Sequence, residues 1–198
     1  MANIFLLRHV RTDANLQNRL CGWSDSEPLE AELGKLDSIS PPNVDKVFCS
    51  PMKRCTCTAE SLGYGGIETS ESLKEVNFGK WELMTFNEVE KEYPDQARKY
   101  LESPLDYTFP EGESLNDLRA RIRSFIKEEL IGHVTKEKDV LIVGHSGSLR
   151  LLLIELLEED MSLFWKFNIH PGAISSLKYY ICDGQTSFVI DSINAKVW

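Results

Sequence analysis

The sequence predicts an α/β fold: a three-layer α/β/α sandwich with a mostly parallel central sheet, in a single domain over residues 1–198 with a helical lid insertion at about 81–112. Three observations carry this. Strands are read at residues 4–7, 44–49 and 139–144, and the runs 4–7 and 140–143 are hydrophobic on both faces, as strands buried between two helical layers must be. Segments with helical spacing lie between them. The runs end in residues suited to chemistry, Arg8-His9 after the first and His145 after the third, with Arg54 shortly beyond the second. Parallel strands joined by right-handed crossovers deliver such residues to one edge of the sheet.

Taken in order, the first strand gives way to a short helix over residues 13–17, capped by Thr12 or Asp13. A polar loop with Gly22 and Pro28 follows, then a short helix at 30–39 stopped by Pro41-Pro42. After the second strand, Ser50 suits a helix cap, Pro51 its first position and Gly63 its end, which puts Arg54 in the first turn. Residues 67–69 suit a short third strand. From Trp81 to Gly112 the chain is acidic and aromatic, with short helices broken at Pro94, Pro104 and Pro110. The run from Glu113 to Asp117 resembles a capping box opening a long helix that Gly132 stops. Ser146 can cap an apolar core helix reaching Leu157. A helical turn at 164–167 and two closing strands at 173–182 and 186–193, joined by a turn at Asp183-Gly184, complete the chain.

Composition narrows the functional classes. A net charge of −9 argues against nucleic acid and against an anionic membrane surface, since both need many cations. No apolar stretch reaches membrane-spanning length. Five cysteines, irregularly spaced and without a signal peptide, fit free thiols in the cytoplasm, and Cys55-Thr56-Cys57 lacks the spacing of a zinc site. Neither a metal nor an organic cofactor is called for. The partner expected is a small-molecule phosphomonoester, with a homodimer left open.

At the shared edge, Arg8, Arg54, His9 and His145 converge into a site for a dianionic phosphoryl group. Arginine offers charge-assisted, often bidentate bonds to its oxygens, and the helix start at Ser146 adds oriented N–H groups. Singly, each residue has a plainer reading: a strand-end histidine is usually structural, as His133 and His170 are taken to be, and a first-turn arginine is usually solvated. Joint occurrence at corresponding strand ends is what a surface-charge account does not predict.

These motifs carry a family resemblance. Arg8-His9-Val10-Arg11-Thr12 with Asn15, Cys49-Ser50-Pro51-Met52-Lys53-Arg54, the run Leu73 to Glu82, and Val143-Gly144-His145-Ser146-Gly147 together resemble the histidine phosphatase superfamily, with its phosphoglycerate-mutase-like fold. The short chain, Phe78-Gly79-Lys80-Trp81-Glu82, the run Pro110 to Ser114 and the run Phe164 to Phe167 most resemble alpha-ribazole phosphatases of cobalamin synthesis. The resemblance implies that His9 becomes a phosphohistidine, that Arg8, Arg54 and His145 hold phosphoryl oxygens, and that Glu75 protonates the leaving oxygen and then activates water. Asn15 matches a phosphate-contacting position. Arg11 is either an extra cation at the mouth or a surface charge. Trp81 and the aromatics after it either line a pocket for a benzimidazole riboside or form the insertion's own small core. One departure stands out: the family usually has Gly after the nucleophile and this chain has Val10, whose branched side chain is expected to narrow the approach to phosphate.

A phosphohistidine-forming phosphomonoesterase is therefore expected, with alpha-ribazole 5'-phosphate as substrate. The alternatives are a broad-specificity or phosphoserine phosphatase, a phosphoglycerate mutase, and a phosphate-binding regulator without turnover.

Overall fold

The computed structural model describes residues 2–36, 40–182 and 185–195. Its sheet has six strands: β1 (Ala2–Arg8), β2 (Lys46–Cys49), β3 (Glu68–Thr69), β4 (Val140–Gly144), β5 (Ile174–Cys182) and β6 (Gln185–Ala195). They lie in the order β3-β2-β4-β1-β5-β6. The pairs β1–β4, β4–β2 and β2–β3 are parallel, whereas β5 runs antiparallel to β1 and β6 antiparallel to β5. β1 and β4 are therefore central, and every residue of β4 is buried. The turn expected at Asp183-Gly184 lies outside the described residues.

The helices are α1 (Asp13–Leu16), α2 (Glu30–Leu36), α3 (Lys53–Ser61), α4 (Phe86–Glu92), α5 (Pro94–Glu102), α6 (Leu115–Phe125), α7 (Ile131–Val134) and α8 (Ser146–Leu156). Two apolar clusters flank the sheet. The larger joins Ile4, Leu6, Ile142 and Leu177 to α6, α8 and the aromatics of the 81–112 insertion. The smaller joins Leu7, Val47, Leu141 and Val143 to Leu36 of α2 and Cys55 and Ala59 of α3. The two faces of one strand thus feed different layers, which is why β1 and β4 read as unbroken apolar runs.

Three helix boundaries differ from the expectation. α3 begins at Lys53 after Met52 rather than at Ser50-Pro51, because the Ser50 hydroxyl is engaged by His145. α8 starts after His145, whose backbone N–H donates to Ser148 Oγ at 3.0 Å, so the capping position falls one residue earlier than Ser146. The long helix does not stop at Gly132. It passes through a π turn (Ile126–Leu130) into α7, and the helix cost of one glycine, about 1 kcal/mol, is outweighed by the complete burial of Leu130 and Val134. Thr12 and Ser114 cap their helices as expected, and Pro94 opens α5; the helical turn expected at 164–167 is a 3-10 turn at Met161–Trp165, and the end of the helix expected at 30–39 lies outside the described residues.

Candidate active site

β1 and β4 run parallel in a register that places Arg8 opposite Gly144, so His9 and His145 leave the sheet side by side. The His9 backbone N–H donates to Gly144 O at 3.1 Å, which continues the ladder by one bond. The two imidazole rings lie 5.1 Å apart, edge to face. Arg54 enters from the first turn of α3 and is 1% exposed. Its Nε donates to His145 Nδ1 at 3.2 Å, and its terminal nitrogens donate to Gly22 O at 2.6 Å and Ser24 O at 2.9 Å.

The electrostatics follow from burial beside fixed cations. His9 Nδ1 faces the Val10 carbonyl at 2.7 Å; a carbonyl only accepts, so Nδ1 carries the hydrogen and Nε2 keeps its lone pair. Burial, then the Arg8 and Arg54 guanidinium groups, hold His9 well below its ordinary value of 6.5. His145 is lowered in the same way, by burial first and then Arg54. Both rings are neutral at neutral pH. Burial also draws Arg8 down to about 10, still cationic, and while Nη1 bonds Ile169 O at 2.7 Å, its buried Nε has no acceptor in the protein.

Glu75 stands at the end of a cavity of about 280 Å³. Its Oε1 accepts from Val76 N at 3.0 Å, and its Oε2 from Gly147 N at 2.8 Å, so the start of α8 aims the carboxylate. Gly147 is required by space: a Cβ there would lie 2.2 Å from Glu75 Oε1. The loop carrying Glu75 is held from behind by Arg121, which bonds the Ser72 and Glu75 carbonyls and forms a two-pronged pair with Glu113 at 2.8 Å per bond. Beyond Glu75, Ser146, Gly147 and Arg150 complete the polar end of the cavity. Phe78, Tyr100, Phe109, Phe164 and Trp165 make much of its apolar wall.

The expected residues thus divide. His9, Arg54 and His145 form one buried group with the half-buried Arg8 beside it, and Glu75 lies between that group and the cavity, where Ser146 also lies. Trp81 is fully buried, stacked on Tyr107 and edge-on to Phe109, so it stands behind the wall of the cavity rather than on it. The aromatics of residues 81–112 divide in the same way: Trp81 and Tyr107 pack on one another, while Tyr100 and Phe109 reach the cavity. Asn15 Oδ1 accepts from Thr12 N in the capping box, and Arg11 is exposed. Val10 does not narrow the approach. Its side chain is buried in the smaller apolar cluster with Leu7 and Cys55, and its N–H donates to Thr58 Oγ1 at 3.1 Å. Backbone direction after His9 sends this side chain under the sheet, so the branched residue fills core.

Arg150 was not anticipated. It lies five residues past His145 on a helix whose surroundings are otherwise apolar, 9% exposed, with Nη2 on Asn168 Oδ1 and the guanidinium 5.4 Å from the Phe164 ring centre. Its Nε is buried without a protein acceptor. The only sequence signal was a lone cation in the run Leu149 to Leu157. Among the described residues, no set of three or more His, Cys, Asp or Glu side chains could hold a metal ion. Nor is any helix among them long and apolar enough to cross a membrane.

Arginines and histidines gathered at the carboxyl ends of parallel strands define an enzyme class that handles phosphoryl groups. Comparison with known proteins agrees: the Histidine phosphatase superfamily (branch 1) matches residues 4–192, and the chain belongs to that family. It is a phosphatase. Phosphoserine phosphatase 1 of Hydrogenobacter thermophilus is 29% identical over 184 residues, covering 88% of this chain and 85% of that protein. The human 6-phosphofructo-2-kinase/fructose-2,6-bisphosphatase 4 is 32% identical over 79% of this chain, which spans only 33% of that longer protein. Among solved structures, an alpha-ribazole phosphatase from Shigella flexneri superposes with a TM-score of 0.86 at 21% identity, covering 98% of this chain and 96% of that one; at that identity the likeness concerns the fold.

Proposed function

We propose that the protein hydrolyses small-molecule phosphomonoesters through a phosphohistidine on His9, and that its substrate is alpha-ribazole 5'-phosphate of cobalamin biosynthesis. The observation that carries this reading is the position of Glu75, between a group of two arginines and two neutral histidines, in which Arg54, His9 and His145 are buried and Arg8 is half-buried, and a cavity walled by aromatic rings. In the first step His9 Nε2 forms a bond to phosphorus as the bond to the ester oxygen breaks, and the Glu75 carboxyl gives that oxygen its proton. Arg8, Arg54 and His145 bear the charge on the remaining oxygens. Glu75, now ionised, takes a proton from water, whose oxygen attacks phosphorus and releases His9 and inorganic phosphate. One carboxyl serves both steps, since each leaves it in the form the other requires.

The substrate reading rests on the cavity. Phe78, Tyr100, Phe109 and Trp165 suit a flat, apolar ring, and the Arg150 guanidinium is a cation at the cavity wall for the oxygens of the riboside. A second reading, a phosphoserine phosphatase, draws on the same Arg150 as a cation for a carboxylate and on the relative from Hydrogenobacter thermophilus. The test is kcat/KM across alpha-ribazole 5'-phosphate, phosphoserine, phosphoglycerates and sugar phosphates. A preference for the riboside is expected; equal rates across the panel reject the assignment, and a preference for phosphoserine installs the second reading.

A further inference from the structure

Glu82 is absent from the cavity wall, yet its carboxylate accepts four backbone N–H bonds. Oε1 takes those of Trp23 at 2.9 Å and Phe78 at 3.0 Å, and Oε2 takes those of Gly22 and Ser24, each at 3.1 Å. Three successive peptide N–H groups of one irregular loop thus close on a single anion, a nest in the sense used for bound phosphates, here filled by a side chain. The carbonyls of the same loop are the ones that hold Arg54: Gly22 O at 2.6 Å and Ser24 O at 2.9 Å, with Cys21 O at 3.5 Å. Trp23, between them, donates its indole N–H to Glu75 O at 3.0 Å, and Lys74 lies over its ring at 4.6 Å.

We propose that Glu82 is a positioning residue for phosphoryl binding: by gathering the N–H groups of residues 22–24 it fixes the carbonyls that aim the Arg54 guanidinium. The proposal rests on Arg54 being a phosphoryl-holding group. Loop carbonyls have no helix or sheet ladder to orient them; Glu82 holds the N–H ends of the peptides whose carbonyls are Cys21 O and Gly22 O, and fixes Ser24 O through the N–H of the same residue. An ionised carboxylate has about four acceptor sites, matching the four donors; an amide has half of them and sets its own N–H against the others. The loop also has no room to shift toward Glu82, since a Cβ on Gly22 would lie 2.5 Å from Glu82 Oε1 and 2.0 Å from Val76 O.

The experiment is a double-mutant cycle on the full chain, with Glu82→Gln, Arg54→Lys and the pair. It reads the dissociation constant of inorganic phosphate, kcat and KM with an aryl phosphate, and amide exchange of residues 22–24. Glu82→Gln is expected to weaken phosphate about tenfold in the native background and less than about twofold once Arg54 is Lys, because the effect passes through that residue. Exchange at Gly22, Trp23 and Ser24 should quicken, while relative rates across leaving groups stay unchanged, which a general loss of structure would not produce. Gly22→Ala pushes a Cβ against Glu82 Oε1 and Val76 O, and its effect on phosphate should show the same dependence on Arg54. Losses that multiply in the double variant, or native phosphate binding by Glu82→Gln, overturn the proposal. Undiminished phosphate binding by Arg54→Lys overturns the reading of Arg54 itself, and the proposal with it.

Discussion

Arg54 Nε donates to His145 Nδ1 at 3.2 Å, and that contact assigns the tautomer of the ring. Guanidinium can only donate, so Nδ1 is the acceptor and Nε2 carries the hydrogen, which goes to Ser50 Oγ at 2.8 Å. His9 is the opposite tautomer, with its hydrogen on Nδ1 toward Val10 O. Two neutral histidines 5.1 Å apart thus present different nitrogens: one has a free lone pair at Nε2, the other an N–H. Identical side chains take opposite tautomers because their partners differ, and of the two only His9 keeps an Nε2 lone pair clear of these bonds.

His9→Ala is expected to release no phosphate from an aryl phosphate and to take up no label as an acid-labile phosphoenzyme. Retained turnover with no trapped intermediate would point to direct attack by water.

Glu75→Gln and Gly147→Ala should act alike, since a Cβ at Gly147 would lie 2.2 Å from Glu75 Oε1 and drive the carboxylate aside. Both should slow substrates with poor leaving groups by about 10²–10⁴-fold, the usual worth of a placed proton donor. Aryl phosphates with acidic leaving groups should be affected far less. A plot of log kcat/KM against leaving-group pKa reads this directly; parallel lines for variant and native protein would remove Glu75 from the acid's role.

Arg150→Met keeps much of the side chain's volume and removes the cation from the cavity wall. An oxygen-rich leaving group should bind roughly 10- to 100-fold more weakly, as for a charged hydrogen bond, with KM rising for natural substrates and little change for a bare aryl phosphate. Equal effects on both would make Arg150 a support for Asn168 and Phe164 alone.

Acid should destabilise the fold through the buried histidines. In the folded chain both are held well below 6.5, so between 6.5 and the lowered values the unfolded chain binds more protons. Stability from these groups is complete above 6.5 and falls as pH drops below it. Melting temperature measured against pH should show this decline, and His145→Asn should make it shallower. Bound phosphate, by pairing with the charged forms, should oppose it.

Much of this protein was legible because its strands state their burial locally. Residues 4–7 and 140–143 alternate no polar positions, and the cations and histidines that follow them are read at once as strand-end chemistry. Caps and breakers were legible for the same reason, as at Thr12, Pro94 and Ser114. Misplaced boundaries have a tertiary cause: Ser50 was taken for a cap and instead bonds His145, 95 positions away, and Gly132 was taken for a stop where burial of Leu130 and Val134 carries the helix on.

By itself the sequence determined the α/β order and the edge at which Arg8, His9, Arg54 and His145 gather, while Glu75 was singled out only through the family resemblance. Only the tertiary structure decided that Val10 is core, that Trp81 stands behind the cavity wall, that Arg150 lines the cavity, and that Glu82 holds the loop that holds Arg54. The reason is physical: strand periodicity is a property of neighbours along the chain, whereas the direction of a side chain and the partner of a hydrogen bond depend on segments that meet only after folding.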